Sequence, residues 1–467
     1  MHKEKKNIFS SLNNFKDKPA IYIEQGKIKT YAQILKDIKN FTKSFNSKKV
    51  IVIFSDNSYE FITCFIAAIK FNQVSILVNP NISKVDFTNL YNRYFPEYVF
   101  CRNKNNFLNQ YNKVFNFMNF GLFKIKESRN YPINPELSCL LATSGTTGNP
   151  KYVKLSRENL LSNTKAISKS LKIKSSDKSI TTMPPYYSYA LSIINTHLMN
   201  GSKIIMNEYS LIDRNFWNLF YKLKPNNLNG VPYTYEILDK IKFEKMNLKH
   251  LRYITQAGGK LDEALRTKLI KICKKKGIKF FIMYGQAEAS PRISIMPWEL
   301  LKKFPNSVGI PLSGGKIIVE KKMNSKNKSE GDLIYKGKNV FWGYSNSYKD
   351  LSKKNEINNI LRTGDIGFVD KKGFIYITGR KKRILKIFGI RISLDQLESE
   401  LKKNNYDCLC KGNDKKLQIY IKKNDKFDFL KFNETIKNIT NLMPKFFEVI
   451  QVNNFKRSET GKIKYNF

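Results

Sequence analysis

Acidic residues are scarce in this 467-residue chain, where 38 Asp and Glu stand against 83 Lys and Arg for a formal net charge of +45. Histidine is scarcer still, with three copies, and the six cysteines (Cys64, Cys101, Cys139, Cys273, Cys408, Cys410) form no C-x-x-C pair. These shortages argue against a structural zinc site and a disulfide framework, and set an expectation of reduced, cytosolic thiols. No apolar run is long enough to span a membrane, and the best of them, 61–69, fits a buried helix. The opening Met1-His2-Lys3-Glu4-Lys5-Lys6-Asn7 lacks the apolar core of a signal peptide. An excess of positive charge fits nucleic acid, an anionic membrane or an acidic ligand. Here, however, the lysines are spread along the whole chain amid abundant asparagine, with no basic tail. A lysine-rich compositional bias accounts for that distribution better than a specific nucleic-acid partner.

What is present is an alternation of strand and helix patterns. Val50-Ile51-Val52-Ile53-Phe54 is a continuous apolar run of the buried-strand type, 59–70 has helical spacing, and Ser75-Ile76-Leu77-Val78 returns to strand. The same texture recurs at 203–206, 253–255 and 279–283, the last following a helical pattern over 263–275. Parallel-rich sheets flanked by helices follow, hence an α/β body. From 307 to 369 short strands and glycine turns predict a small β-barrel-like region, with 321–330 a charged loop. Lys381-Lys382-Arg383, read from its residues alone, is a solvated turn before a compact α+β C-terminal unit.

Thr143-Ser144-Gly145-Thr146-Thr147-Gly148-Asn149-Pro150-Lys151 concentrates hydroxyls and glycines ahead of a lysine. Gly145 and Gly148 let backbone amides turn toward an anion, Thr143, Ser144, Thr146 and Thr147 add hydroxyl donors, and Lys151 adds a mobile charge. The spacing G-x-x-x-x-G-K fails, because Pro150 stands where the second glycine belongs and has no amide to donate. A polyphosphate loop of another kind remains, and a second glycine turn near the end, Ser458-Glu459-Thr460-Gly461-Lys462, offers one more lysine for charge at phosphorus.

With Gly258-Gly259-Lys260, Tyr284-Gly285-Gln286-Ala287-Glu288, Thr363-Gly364-Asp365 and Gly379-Arg380-Lys381-Lys382 in order between them, these segments resemble the adenylate-forming (AMP-binding) ligase superfamily. That group holds acyl-CoA synthetases, peptide-synthetase adenylation domains and luciferases. The resemblance runs from about residue 18 to 464. It implies a large N-terminal domain, 1–380, and a small mobile C-terminal domain, 381–467, joined by a hinge at Lys382. It also implies ATP and Mg²⁺ as cofactors and an acid–thiol ligase reaction. A carboxylic acid becomes acyl-AMP with release of pyrophosphate, and the acyl group then passes to the pantetheine of coenzyme A or of a carrier protein.

By the same resemblance Lys462 bridges carboxylate and α-phosphate, and Glu288 holds magnesium, which needs only one or two protein carboxylates beside phosphate oxygens. Tyr284 stacks on adenine opposite Gly258, Gly259 and Lys260; Gly285, Gln286 and Ala287 continue that site. Asp365 accepts from the ribose hydroxyls and Arg380 reaches the same sugar. Tyr187, Tyr233, Ala257 and Gln286 are the acyl-pocket candidates, and Gly389 marks the pantetheine channel.

The departures narrow the substrate. Many acyl or aryl ligases place histidine where Pro184-Pro185-Tyr186-Tyr187 puts Tyr187, and amino-acid adenylating domains place an aspartate about there. Tyr187 supplies no anion for an α-ammonium group, which disfavours an amino acid, and the phenols of Tyr186, Tyr187 and Tyr189 suit a semi-polar pocket, which favours a small or polar acid. The C-terminal unit is short for the family, leaving both acceptors open. The alternatives are an amino-acid adenylating enzyme loading a carrier protein, and a non-catalytic binding protein on a ligase fold, nucleic-acid associated through its charge. If the charge is compositional bias, duplex DNA binds weakly and loses about 10³-fold or more in affinity between 50 and 200 mM salt. Fluorescence anisotropy checks this, and tight sequence-selective binding at physiological salt would reverse the order of the readings.

Overall fold

The computed structural model describes residues 7–23, 26–103, 108, 110–143, 151–321, 330–387, 390–423, 427–457 and 463–465. The chain divides into two compact units, one made of 1–305, 311–316 and 336–361, the other of 306–310, 317–335 and 362–467.

Two sheets build the first unit. The apolar run Val50–Phe54 is buried at every position and sits inside an eight-stranded sheet between Val74–Val78 and Tyr98–Arg102, parallel to both. A strand buried on both faces has no use for alternation, which explains the uninterrupted run. The helix Tyr59–Lys70, which joins Val50–Phe54 to Val74–Val78, starts where the Ser58 hydroxyl accepts from the Phe61 amide (3.1 Å). Beyond Val74–Val78 come Leu137–Ala142, Tyr152–Ser156 and the short Tyr344–Ser345.

The second sheet has nine strands. Its middle is parallel, running through Lys279–Gly285, Tyr253–Gln256, Asn227–Gly230, Lys178–Ile180, Lys203–Ile205 and Pro19–Tyr22. Arg292–Ile295 turns back antiparallel beside Lys279–Gly285. The helix Glu263–Lys276 carries the chain between Tyr253–Gln256 and Lys279–Gly285, opened by an Asp262 cap and closed by Gly277 at φ +68°.

A polar ladder crosses the buried middle of this sheet. Ser179 Oγ donates to Asn227 Oδ1 (2.8 Å), Asn229 Nδ2 donates to the same oxygen (2.8 Å), and Thr255 Oγ1 donates to Asn229 Oδ1 (2.6 Å). The Tyr189 hydroxyl meets Thr255 Oγ1 at 2.7 Å and the Tyr235 hydroxyl donates to the Thr255 carbonyl at 2.6 Å. Each buried group thereby finds a partner, and each partner is specific to one register.

In the second unit, the region expected to be barrel-like contains a four-stranded sheet of Lys316–Lys321, Gly331–Lys336, Ile360–Val369 and Ile375–Arg380. A hairpin (Ile384–Ile387, Ile390–Ser393), a three-stranded sheet (Cys408–Gly412, Leu417–Lys422, Phe447–Val452) and two helices (Leu394–Lys403, Phe429–Thr440) follow. Leu397, Leu401, Ile419, Phe432 and Ile436 form their common core. In the turn Lys381–Arg383 the two lysines are exposed, as a solvated turn requires, but Arg383 is partly buried. Arg383 donates to Asp395 and to Glu398 Oε1 (2.6 Å) and lies 4.2 Å from the centre of the Tyr465 ring. Glu398 Oε1 also accepts from the Cys410 amide at 2.6 Å. Burial pushes the Glu398 carboxyl up and Arg383 partly offsets this.

Removing one member of a buried pair strands the other, at about 3–5 kcal/mol. Arg383→Ala is therefore expected to lower hydrogen-exchange protection in Leu417–Lys422 by about 10²-fold or more. All three tryptophans, Trp217, Trp298 and Trp342, belong to the first unit. Their fluorescence transition in urea serves as the control that should stay in place.

Candidate active site

Tyr253–Gln256 and Lys279–Gly285 pair in parallel with Gln256 opposite Ile282. Residues 257–260 and 286–288 therefore leave the sheet at one edge, the carboxyl edge at which open α/β sheets hold ligands. Gly258 adopts φ +84°, and a Cβ there would also press on Val231 Cγ1 at 3.2 Å. Gly258, Gly259 and Lys260 are exposed, and the Gly259 carbonyl accepts from Gln256 Nε2 (2.8 Å). Tyr284, 8% exposed, is the last residue but one of the neighbouring strand and so stands at the same edge as the glycine turn. Gly285 is held by space: a Cβ there would collide with the Pro291 carbonyl oxygen and stand 2.9 Å from Arg292 Cα. Gln286 and Ala287 follow, Gln286 capping the short turn Ala287–Ala289 that carries Glu288.

The phosphate-loop candidate begins and ends on a paired stem. Ala142 lies opposite Tyr152, and the Lys151 carbonyl accepts from the Thr143 amide (2.8 Å) and hydroxyl (3.3 Å). Ser144, Gly145, Thr146, Thr147 and Gly148 lie outside the described residues. On the other side of Tyr152–Ser156, Tyr344 pairs with Val153. The buried Lys154 fixes that neighbour by an ion pair to Glu356 (2.9 Å) and backbone bonds to residues 342 and 343.

Tyr344 ties the group together. Its hydroxyl donates to Glu288 Oε1 (2.7 Å), and Lys151 Nζ lies 5.6 Å from the centre of its ring. Burial first, then the Glu288 carboxylate, pushes the Tyr344 phenol up, so it stays a donor at neutral pH. Lys151 and Glu288, far apart in sequence, thus meet through a residue that no motif pointed to. Among the described residues no cluster of three or more His, Cys, Asp or Glu could hold a metal. A single carboxylate is enough for magnesium where phosphate and water supply most of its oxygens.

In the second unit, Asp365 and Arg380 are cross-strand partners, with Arg380 Nε donating to Asp365 Oδ1 at 3.0 Å. Asp365 is buried and its amide donates to Thr363 Oγ1 (3.1 Å). Lys382 is exposed in the turn Lys381–Arg383, whose other two charges are held by Asp332, Asp395 and Glu398. Gly389 and Lys462 lie outside the described residues.

Of the acyl-pocket candidates, Tyr187 and Ala257 come together in one cluster with Met183, Tyr189, Val231, Phe281 and Met283. Gln286 is partly buried at the edge described above, whereas Tyr233 is 39% exposed on the helix Pro232–Lys240.

A family model described as "AMP-binding enzyme" matches residues 8–345, more than half of the chain. The chain belongs to the AMP-binding enzyme family. Its relatives include a 2-succinylbenzoate–CoA ligase of Bacillus cereus, 25% identical over 399 residues that cover 82% of this chain and 80% of that protein. Among solved structures, the o-succinylbenzoate CoA synthetase of Bacillus subtilis with its acyl-adenylate intermediate has the same fold. It superposes with TM-score 0.79 at 18% identity, covering 99% of this chain and 98% of that one. The same synthetase with ATP and magnesium ion superposes at TM-score 0.77, also at 18% identity, covering 99% of each chain. The expected α/β architecture and adenylate-forming ligase class are thus those of this AMP-binding enzyme.

Gly285 gives a direct test of the edge geometry. Gly285→Ala forces the Tyr284 strand away from Pro291 at a cost of about 1–3 kcal/mol or more. The melting temperature should fall, and ATP should protect the variant from thermal unfolding far less than it protects the parent.

Proposed function

We propose that this AMP-binding enzyme joins a carboxylic acid to a pantetheine thiol in two steps. A carboxylate oxygen attacks the α-phosphorus of ATP, the bond to pyrophosphate breaks, and acyl-AMP forms. The thiol sulfur then attacks the acyl carbon, the bond to the AMP oxygen breaks, and the thiol proton is released. The observation that carries this reading is the meeting of Lys151 and Glu288 through Tyr344 at the stem of the Thr143–Lys151 loop. Coenzyme A is the favoured acceptor, supported by the naming of the Bacillus relatives as CoA ligase and CoA synthetase; a carrier-protein phosphopantetheine is the other.

In this reading Thr143, Ser144, Gly145, Thr146, Thr147, Gly148 and Lys151 hold the polyphosphate, and Glu288 holds magnesium, which when bound neutralises phosphate charge. Tyr284 covers adenine against Gly258, Gly259 and Lys260. Asp365 accepts from the ribose, with Arg380 beside it. Lys462 meets the charge that develops at phosphorus. Residues 1–380 bind ATP and acid, 381–467 turn about Lys382 between the two steps, and Gly389 leaves room for pantetheine. The dependence on ATP and CoA supports a cytoplasmic location. Among the described residues no helix is long and apolar enough to cross a membrane.

The acid carries no free α-ammonium group. Tyr187 borders the cluster of Ala257 and Met183, and no Asp or Glu occurs between Met183 and Lys203 to pair with an ammonium. The experiment is pyrophosphate release over a panel of short, hydroxylated and aromatic acids and the proteinogenic amino acids, with and without CoA. Lys462→Ala should lower acyl-AMP formation by about 10²-fold or more, the scale for losing a transition-state donor. Thioester formation from supplied acyl-AMP should survive much better. Release strongest with a free amino acid, or equal loss of both steps in Lys462→Ala, would overturn this assignment.

A further inference from the structure

Arg292 is 2% exposed and has no acidic partner among the described residues. Among the described residues its Nε makes no hydrogen bond, and the neighbour that compensates its charge is the face of the Tyr189 ring, 4.6 Å from the guanidinium carbon. The amides nearest to it serve its backbone instead: Asn163 and Asn339 both donate to the Arg292 carbonyl (2.9 Å each), and Asn163 Oδ1 accepts from its amide. Burial lowers the guanidinium, with Tyr189 partly offsetting it, to about 10, which leaves it charged at neutral pH. A buried, unpaired cation is strongly unfavourable, and proteins keep one where something completes it.

The strand pairing says where the charge points. Met283 lies opposite Ile295 and Tyr284 opposite Ser294, but Gly285 lies opposite Arg292, so one residue is skipped. Such a bulge re-aims a side chain. Here it turns Arg292 to the face of Met283 and Ile295, where Tyr189 receives it. Tyr189 in turn is fixed by Thr255 at the end of the polar ladder. The same cluster contains Tyr187 and Ala257. A guanidinium seated over the Tyr189 ring therefore stands in the wall of the proposed acyl pocket, with a planar fork of donors suited to a carboxylate.

We propose that Arg292 pairs with a second carboxylate of the acid, so that the enzyme activates one end of a dicarboxylic acid while Arg292 holds the other. This rests on the reading of the chain as an acid-activating enzyme. Tyr189 is then a positioning residue: its ring steadies the guanidinium and its hydroxyl is tied to Thr255.

The test uses the full chain and matched pairs: aliphatic and aromatic diacids against their monomethyl esters. In pyrophosphate release the best diacid should exceed its monoester in kcat/KM by about 10²-fold, the scale for a buried charge pair. In Arg292→Gln that ratio should collapse toward one, mainly through KM, and Arg292→Lys should restore part of it. Calorimetric titration of the parent protein with the same diacids, with MgATP absent and present, reads binding without turnover. Diacid binding that exceeds monoester binding supports the anion site even if no pyrophosphate appears, in which case the acid-activating reading falls and the Arg292 site stands. Equal use of diacid and monoester by the parent protein, or no preferential binding of any diacid, overturns the inference. That comparison needs no variant to fold.

Discussion

Register in the nine-stranded sheet is the constraint on which the rest of the first unit depends. Parallel strands buried on both faces are rich in interchangeable apolar residues and could slide past one another. The ladder from Ser179 through Asn227 and Asn229 to Thr255 removes that freedom. A shift by one residue would unpair several buried polar groups at once, each at about 1–3 kcal/mol. With the register fixed, the glycine turn at 258–260 and the ring of Tyr284 emerge at one edge, and the bulge beside Gly285 fixes the direction of Arg292.

The electrostatics separate into two populations. Lysines on the surface make exposed pairs such as Lys338 with Glu158, worth little in water. A few cations inside are treated differently. Lys154 has a fully buried side chain and an acidic partner in Glu356, and it locks the neighbour strand that carries Tyr344. Arg383 has two acidic partners, Asp395 and Glu398. Against this pattern Arg292 stands out, because it is as buried as Lys154 and its charge faces a ring rather than an acid.

Local signals made much of the fold legible. Val50–Phe54 shows itself as an unbroken apolar run, and the helix Glu263–Lys276 shows its Asp262 cap and its Gly277 stop. Gly258 and Gly285 show themselves as glycines with a steric reason. Tyr344 gave no comparable signal. Its role depends on pairing with Val153 and reaching Glu288, contacts between segments whose separation no period or motif encodes. Arg292 was hidden for a related reason, since one basic residue among 83 carries no mark of burial. In the basic turn Lys381–Arg383 the two lysines are exposed as their residues suggest, and Arg383 departs, because Glu398 lies on the helix that follows and only tertiary packing brings it to Arg383.

The thiols follow from the same shielding. All six cysteines are free and buried, and burial raises Cys64, Cys139 and Cys273, the last to about 12. Thiol reagents attack the thiolate, and burial keeps them from these sulfurs. The native chain is therefore a quiet background for site-specific chemistry. A single cysteine introduced on the surface of either unit would be labelled almost alone, so a dye or spin label could be placed there without first removing the natural thiols.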